Sequence, residues 1–304
     1  MASTGHLDLP TDPAIASPVG ASLAEFTRLV ALELAAERIE LPSFPEVALR
    51  VRKALADEHV PIDDVVRIVS AEPSLSVRLL QLANSVALNP GAQRVTTLRT
   101  AIARIGFNLA RSATIAFAMS QMRRAESWRG LEVRFRQLWD ASAQLAAMSH
   151  AVARRFTDID ADQALLAGML HAVGKLFVLT RVSRFPALLA DARLYLEIEN
   201  VWHARAARAL LVNWDLGPEI IDAACDFDGA ANGAALPVTA AATLGDVLFA
   251  AQHLAQVREL GELAEPPWLK APPFQRLRLD AHGCAGVLDA SAGEVASLRA
   301  ALGD

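Results

Sequence analysis

The strongest constraint on the fold is the helical spacing of apolar residues, which recurs along nearly the whole chain with almost no alternation of period two. The first such run shows the three- and four-residue intervals of one helix face, at Leu23, Phe26, Val30 and Leu34. Alanine and leucine are abundant, whereas tyrosine occurs once. With 53% hydrophobic residues, the 304-residue chain can bury a sizeable core. We therefore predict an all-α, multi-helix fold.

Prolines and capping residues divide this pattern into helices. Ser43 and Glu46 form a capping-box pattern, Thr96 or Thr97 can cap a helix that Gly106 interrupts, and Asp160 with Gln163 can cap the helix that leads to His171. The predicted helices cover 21–39, 43–56, 61–70, 73–84, 97–122, 131–156, 160–180, 184–197, 201–213, 218–226 and 238–257, with a last helix capped by Ser291 and Glu294.

The predicted organisation has one principal domain between two irregular ends. Residues 1–20 are predicted to be a disordered leader without the apolar core of a signal peptide. The domain covers 21–235, with a helical lobe at about 21–125 and a second lobe at about 130–260. Residues 228–237 are predicted to be a loop or linker, and 261–304 an irregular segment that ends in a helix.

Charge is unevenly distributed on a chain of net charge −5. Nine arginines face two glutamates between Arg94 and Arg136, whereas nine acids face only Arg258 between Asp215 and Glu265. These stretches are either solvated helix faces or surfaces that contact each other or a partner. Arg99, Arg104 and Arg111 could line one edge that receives an acidic partner or phosphate. The net charge makes nucleic acid an unlikely general partner.

Two cysteines, Cys225 and Cys284, lack the spacing of a zinc site or a disulfide framework. They suit a reducing compartment, so we expect a cytoplasmic protein. The longest apolar stretches, 165–180 and 238–251, are too short to cross a membrane and contain charged residues. No membrane association is predicted.

Several segments, in order over about 200 residues, together resemble the HDOD family, the HD-related output domains of bacterial signalling proteins. They are LPSFPEVALRV (41–51), DDVVRIVSAEPSLSVRLLQLANS (63–85), VTTLRTAIARIGFNLARS (95–112), LLAGMLHAVGKL (165–176) and WHARAARALLVNWDLGPEIIDA (202–223). The resemblance implies an all-helical, HD-like fold that is related to metal-dependent phosphohydrolases. It also implies a regulatory or protein-interaction role.

Carried over residue by residue, the family's metal site is degenerate in this chain. Ala141 stands where an HD enzyme has its first histidine, and the His-Asp pair is replaced by His171-Ala172. The resemblance leaves His171, His203 and Asp246 as vestigial ligand positions. The paired histidines that often follow in the family fall on Cys225, Asp226 and Phe227, and no Gly-Tyr-Pro triplet occurs. Without the carboxylate that bridges two metals, we expect no metal, no cofactor and no catalytic residue.

Three functions remain as alternatives. The first is a non-catalytic regulatory module that binds other signalling proteins, with its cavity serving as a stabilising core or a sensor pocket. The second is a residual phosphohydrolase, acting on a nucleotide or cyclic dinucleotide through His171, His203 and Asp246. The third is nucleic-acid binding through the arginines of 94–136. His171 can also be a hydrogen-bonded core histidine. The partner protein, the signal, any ligand and the oligomeric state, including self-association, stay open.

Overall fold

The described residues of this computed structural model form helices joined by short connections, and they contain no β-strand. They cover 18–36, 39, 41, 50–51, 53–54, 60–85, 88–89, 94–122, 128–214, 216–226, 237–260 and 267–303. The α-helices are α1 (Pro18–Ala35), α2 (Ile62–Ser70), α3 (Pro73–Ala83), α4 (Leu98–Met122), α5 (Glu132–Phe156), α6 (Ala161–Leu170), α7 (Val173–Val182), α8 (Pro186–Ala190), α9 (Ala192–Asn213), α10 (Pro218–Asp226), α11 (Leu244–Leu260), α12 (Pro272–Arg276) and α13 (Ala281–Gly303). The predicted all-α class is confirmed.

Helix α5 lies at the centre of the molecule and packs against α6, α11 and α13. Every residue from 142 to 153 is buried, which is why this stretch of α5 is rich in alanine. Gly168 of α6 approaches the α5 backbone so closely that a Cβ at this position would lie 2.7 Å from the Cα of Ala146. Small residues on both helices therefore set the distance between α5 and α6.

Helix α7 packs on α9 through a second glycine. A Cβ at Gly174 would lie 1.9 Å from the backbone oxygen of His203, so α7 contacts the α9 backbone directly. Gly174 thus permits the close packing of these two helices. Helices α10 and α11 then pack against α6 and complete the surroundings of the His171 side chain.

The N-terminal helices share one continuous hydrophobic core with the rest of the protein. Phe26 of α1 makes edge contacts with the rings of Phe185 and Trp202. Arg181 of α7 binds Glu33 of α1, with its Nε donating over 2.9 Å. Because this single core runs through both predicted lobes, the division of the domain into two lobes stays a prediction.

Several predicted boundaries need correction. Helix α1 begins at Pro18, three residues before its predicted start, while the rest of the predicted leader (1–17) lies outside the described residues. Asp191 was assigned to the interior of a helix, but its side chain accepts hydrogen bonds from the backbone N–H of Arg193 and Leu194 and caps α9. The chain therefore forms the short α8 and the long α9 instead of helices over 184–197 and 201–213.

The C-terminal third is more helical than predicted. Asp280 accepts a hydrogen bond from the backbone N–H of Gly283 at 2.7 Å, so α13 begins at 281 and already runs through the predicted cap at 291–294. Within the segment predicted to be irregular, a 3-10 helix (Pro267–Lys270) and α12 each begin at a proline, which suits a first helical position. The predicted Ser43–Glu46 cap and residues 228–236 of the predicted loop lie outside the described residues.

One described stretch, Ala161–Val182, is apolar and long enough to cross a membrane by length and composition alone. However, 89% of its most apolar window is buried inside the protein. It therefore has the burial of a core element.

We predict that Gly174→Ala destabilises the protein, because the new methyl group would overlap the His203 carbonyl. Overpacking of this kind lowers the free energy of unfolding by about 1–3 kcal/mol or more. Gly286→Ala is the matched control, since Gly286 is exposed on α13 and a Cβ there contacts nothing within 4 Å. The control should stabilise the helix by about 0.5–1 kcal/mol. Chemical denaturation measures both, and equal stability of the two variants would contradict the close contact.

Candidate functional site

A cavity of about 260 Å³ lies where α5, α7, α9, α10 and α11 converge around the C-terminal end of α6. It contains four positions that the resemblance assigned to the family's metal site, namely Ala141, His171, His203 and Cys225. The remaining wall residues are Gln144, Leu145, Lys175, Ala224, Gln252, Ala255 and Gln256. The structure therefore brings His171 and His203 together, as predicted.

His171 follows α6 directly and is held by the helix end. Its Nδ1 lies 2.8 Å from the backbone oxygen of Gly168. Burial lowers the pKa of His171 to about 4, an effect that outweighs the opposing hydrogen bond to Gly168 and is reinforced by the positive charge of Lys175. At neutral pH the ring is therefore uncharged, with Nδ1–H as the donor and Nε2 as an acceptor.

The second histidine is held in the same manner by α9. The Nδ1 of His203 lies 2.8 Å from the backbone oxygen of Glu199, one turn earlier. The Glu199 side chain is buried and binds Lys175 (Nζ to Oε1, 3.4 Å), while the hydroxyl of Tyr195 donates to its Oε2 over 2.9 Å. Burial and the nearby Glu199 carboxylate raise the pKa of Tyr195.

The rest of the wall is neutral. Burial raises the pKa of the Cys225 thiol to about 12, which keeps it protonated and weakens it as a metal ligand. Gln144, Gln252 and Gln256 contribute amides that the sequence argument missed. Gln144 could have been predicted from the sequence, since it lies three residues after Ala141 and therefore on the same helix face.

Asp246 does not line this cavity, and its placement there from the sequence is corrected. It is fully buried, and its carboxylate accepts two hydrogen bonds from Arg276 (Nε to Oδ2, 2.8 Å; Nη2 to Oδ1, 2.5 Å). It also accepts from the backbone N–H of Thr243 (2.8 Å), while Thr243 Oγ1 accepts from the N–H of Asp246. This reciprocal capping box starts α11 at 244 instead of the predicted 238.

The residues present do not fit a divalent metal pair. Two imidazoles line the cavity, but none of its described wall residues is an aspartate or a glutamate. Ala172 has no oxygen donor, and Asp226 is ion-paired with Arg208 at 2.5 Å. Phe227 lies outside the described residues. Across the described part of the chain, no three His, Cys, Asp or Glu side chains are grouped to hold a metal ion.

The three arginines proposed as an interaction edge do not share a helix face. Arg99 forms an ion pair with Asp63, and Arg104, five residues later, points about 140° away around the helix. Gly106 then breaks the helix at φ 74°, and beyond it Arg111 is half-buried and donates to Asn108 at 3.3 Å. Burial lowers the pKa of Arg111. The five-residue step thus separates Arg99 from Arg104, and the predicted helix break separates both from Arg111.

The acidic stretch is likewise engaged locally. Arg208 binds both Asp222 (2.8 Å) and Asp226, and Arg276 binds Asp246. Both arginines lie outside 94–136. These described contacts give no support to direct pairing between the two charged stretches.

A family model for the HDOD domain matches residues 41–226, more than half of the chain. The chain belongs to the HDOD family. The resemblance inferred from the sequence is therefore confirmed.

Solved structures show the same fold at low identity. A chain from Shewanella amazonensis SB2B, described as a candidate metal-dependent phosphohydrolase, is 22% identical, with a TM-score of 0.72 over 92% of this chain and 99% of its own. An HDOD domain protein of unknown function from Geobacter sulfurreducens is 23% identical, with a TM-score of 0.61 over 92% and 98%. A candidate signal transduction protein from Marinobacter aquaeolei VT8 is 20% identical, with a TM-score of 0.55 over 96% and 68%.

Among curated proteins, an uncharacterized protein of Treponema pallidum (strain Nichols) is 23% identical over 202 residues. The match covers 62% of this chain and 37% of that protein. The chain therefore matches well under half the length of this relative.

The low pKa of His171 predicts a pH dependence of stability. Between pH 6.5 and about 4 the unfolded chain binds a proton that the folded site rejects, so stability falls as the pH is lowered through this window. A lowering of the pKa from 6.5 to about 4 corresponds to about 3 kcal/mol. Asp162, whose pKa is raised to about 6 mainly by burial, acts in the opposite direction over the same range.

The measurement is therefore a difference between wild type and His171→Asn, whose amide can still donate to Gly168. The stability advantage of wild type over this variant should shrink by up to about 3 kcal/mol between pH 7 and pH 4. His282→Asn, at an exposed position on α13, is the control, and its difference in stability from wild type should stay the same between pH 7 and pH 4. A flat difference for His171→Asn would show that the imidazole is not held neutral.

We also predict that Asp246→Ala is strongly destabilising, because it leaves the Arg276 guanidinium buried without its partner. Loss of one member of a buried pair costs about 3–5 kcal/mol. Glu197→Ala, which removes the exposed pair with Arg193, should cost about 0.5 kcal/mol or less. Urea denaturation compares the two, and a similar small cost for both would refute the structural role of Asp246.

Proposed function

We propose that this HDOD protein is a non-catalytic regulatory module that acts by binding other proteins. The observation that carries the proposal is the engagement of Asp246 by Arg276 and Thr243, together with the methyl group at Ala172. Hydrolysis of a phosphate ester by an HD-type site needs carboxylate oxygens that hold and bridge metal ions. In this chain the first carboxylate is replaced by the methyl group of Ala172. The second, that of Asp246, is bound by Arg276 and stabilises the fold.

The neutral cavity supports the same proposal. Its imidazoles are oriented by backbone carbonyls, and its one cation, Lys175, is balanced by Glu199. A dication brought into this environment would meet no carboxylate among the described wall residues to offset the loss of hydration. The side chains around the cavity then form a stabilising core, which keeps α5, α7, α9 and α11 in the one arrangement that a partner binds.

The relatives support a signalling context for this role. The neighbour from Marinobacter aquaeolei is described as a candidate signal transduction protein, and family membership is shown. We extend this context to the present chain as part of the proposal. Its free, buried cysteines suit the reducing cytoplasm as its location.

The test combines metal analysis with turnover. Protein purified from medium supplemented with manganese, iron and zinc should contain well under one metal ion per chain. It should show no turnover of bis(p-nitrophenyl) phosphate or cyclic di-GMP above that of His171→Asn, which is the matched control. Stoichiometric metal, together with turnover that His171→Asn abolishes while the variant stays folded, would establish the phosphohydrolase alternative instead.

A further inference from the structure

A second and larger cavity lies away from the His171 cavity, among the N-terminal helices. This groove has a volume of about 1130 Å³ and runs between α3, the segment 94–96, the second half of α4 and the C-terminal part of α13. Its volume suits a small organic molecule of nucleotide size. The proposed function does not use this groove, although Arg94 belongs to the arginine-rich stretch 94–136.

The charges of the groove have one sign. Arg78 of α3 and Arg94 line it, and none of its described wall residues is acidic, although the chain as a whole has a net charge of −5. Hydroxyl groups line the groove at Ser85, Ser120 and Ser297, although that of Ser120 already donates to the backbone oxygen of Phe117 over 2.8 Å. Guanidinium and hydroxyl donors together bind phosphate oxygens, and Arg does so with two parallel hydrogen bonds.

One buried polar group in the groove has no partner within the described chain. Ser85 is only 6% exposed, and its Oγ makes no hydrogen bond. A buried hydroxyl without a partner costs stability, so a group of this kind calls for an explanation. Since Ser85 lines the groove, an acceptor on a bound ligand would satisfy it.

The wall that carries Arg94 is held in a fixed position. The side-chain amide of Asn84, at the end of α3, donates from Nδ2 to the backbone oxygens of Leu80 and Val95, each over 2.8 Å. Its Oδ1 accepts from the N–H of Val95, also at 2.8 Å. These bonds secure the segment beside Ser85, so the donors of the groove are organised before a ligand arrives.

Apolar residues also line the groove and can contact the rest of the ligand. They are Leu80, Val95, Phe117 and Ala300, one from each of the four elements around the groove. A bare phosphate would leave these residues without a contact. A phosphorylated molecule with a flat ring would use both kinds of lining, because the ring can pack on apolar side chains while the phosphates reach the arginines.

We infer that the groove binds a phosphorylated small molecule of nucleotide size, with Arg78, Arg94 and Ser85 contacting its phosphates and the wall around Phe117 contacting its ring.

Isothermal titration of the full chain at 0.15 M salt with ADP, GDP, pyrophosphate and adenosine tests the inference. At least one nucleoside diphosphate should bind more tightly than pyrophosphate or adenosine. Arg94→Ala should weaken that binding about tenfold or more, since it removes a charge-assisted contact. Arg193→Ala, which removes an arginine 91% exposed on α9, is the matched control and should leave the affinity unchanged.

Ser85→Ala separates a ligand contact from a structural one. Because the Ser85 hydroxyl has no partner among the described residues, the variant should melt at the same or a higher temperature than wild type while binding the nucleotide more weakly. Three results would overturn the inference. They are no binding of either nucleotide at millimolar concentration, equal weakening by Arg94→Ala and Arg193→Ala, and a Ser85→Ala variant that melts lower yet binds normally.

Discussion

The contact on which the site most depends is the one between α7 and the backbone of α9 at Gly174. The absence of a Cβ lets the His203 carbonyl approach, and this approach sets where Lys175, His171 and His203 stand relative to one another. Gly168 plays the same part between α6 and α5. Two glycines thus set the spacing of the cavity walls by steric fit. In our account, the helical frame is held by packing.

The Asp246–Arg276 pair gives the helical frame a buried contact that needs no metal ion. A carboxylate in the first turn of α11 both caps that helix and holds α12 through a buried guanidinium. Burial of this pair is tolerable because both carboxylate oxygens are hydrogen-bonded. As a consequence, Asp246 secures the C-terminal segment, while the two histidines line a neutral cavity. This arrangement, together with family membership, is the physical basis for proposing a binding module.

Much of the fold could be predicted from local patterns, because they involve residues close in sequence. Pro73, Thr97, Asp160 and the break at Gly106 mark helix ends or interruptions where the structure has them. The start of α11 was missed although its local signal, Thr243 followed by Asp246, is present in the sequence. The partner of Asp246 could not be predicted, since Arg276 lies thirty residues away in a proline-rich stretch. The arginines at 99, 104 and 111 were grouped by sequence spacing, but the break at Gly106 and the five-residue step place them on different faces.

The account is tested most directly by anomalous X-ray diffraction from crystals of the full chain grown with millimolar Mn²⁺. It predicts no anomalous peak within coordinating distance of the Nε2 atoms of His171 and His203, and an Asp246 carboxylate that remains bound to Arg276. A pair of peaks coordinated by both imidazoles, with the carboxylate of Asp246 turned away from Arg276 and towards the metal, would contradict it.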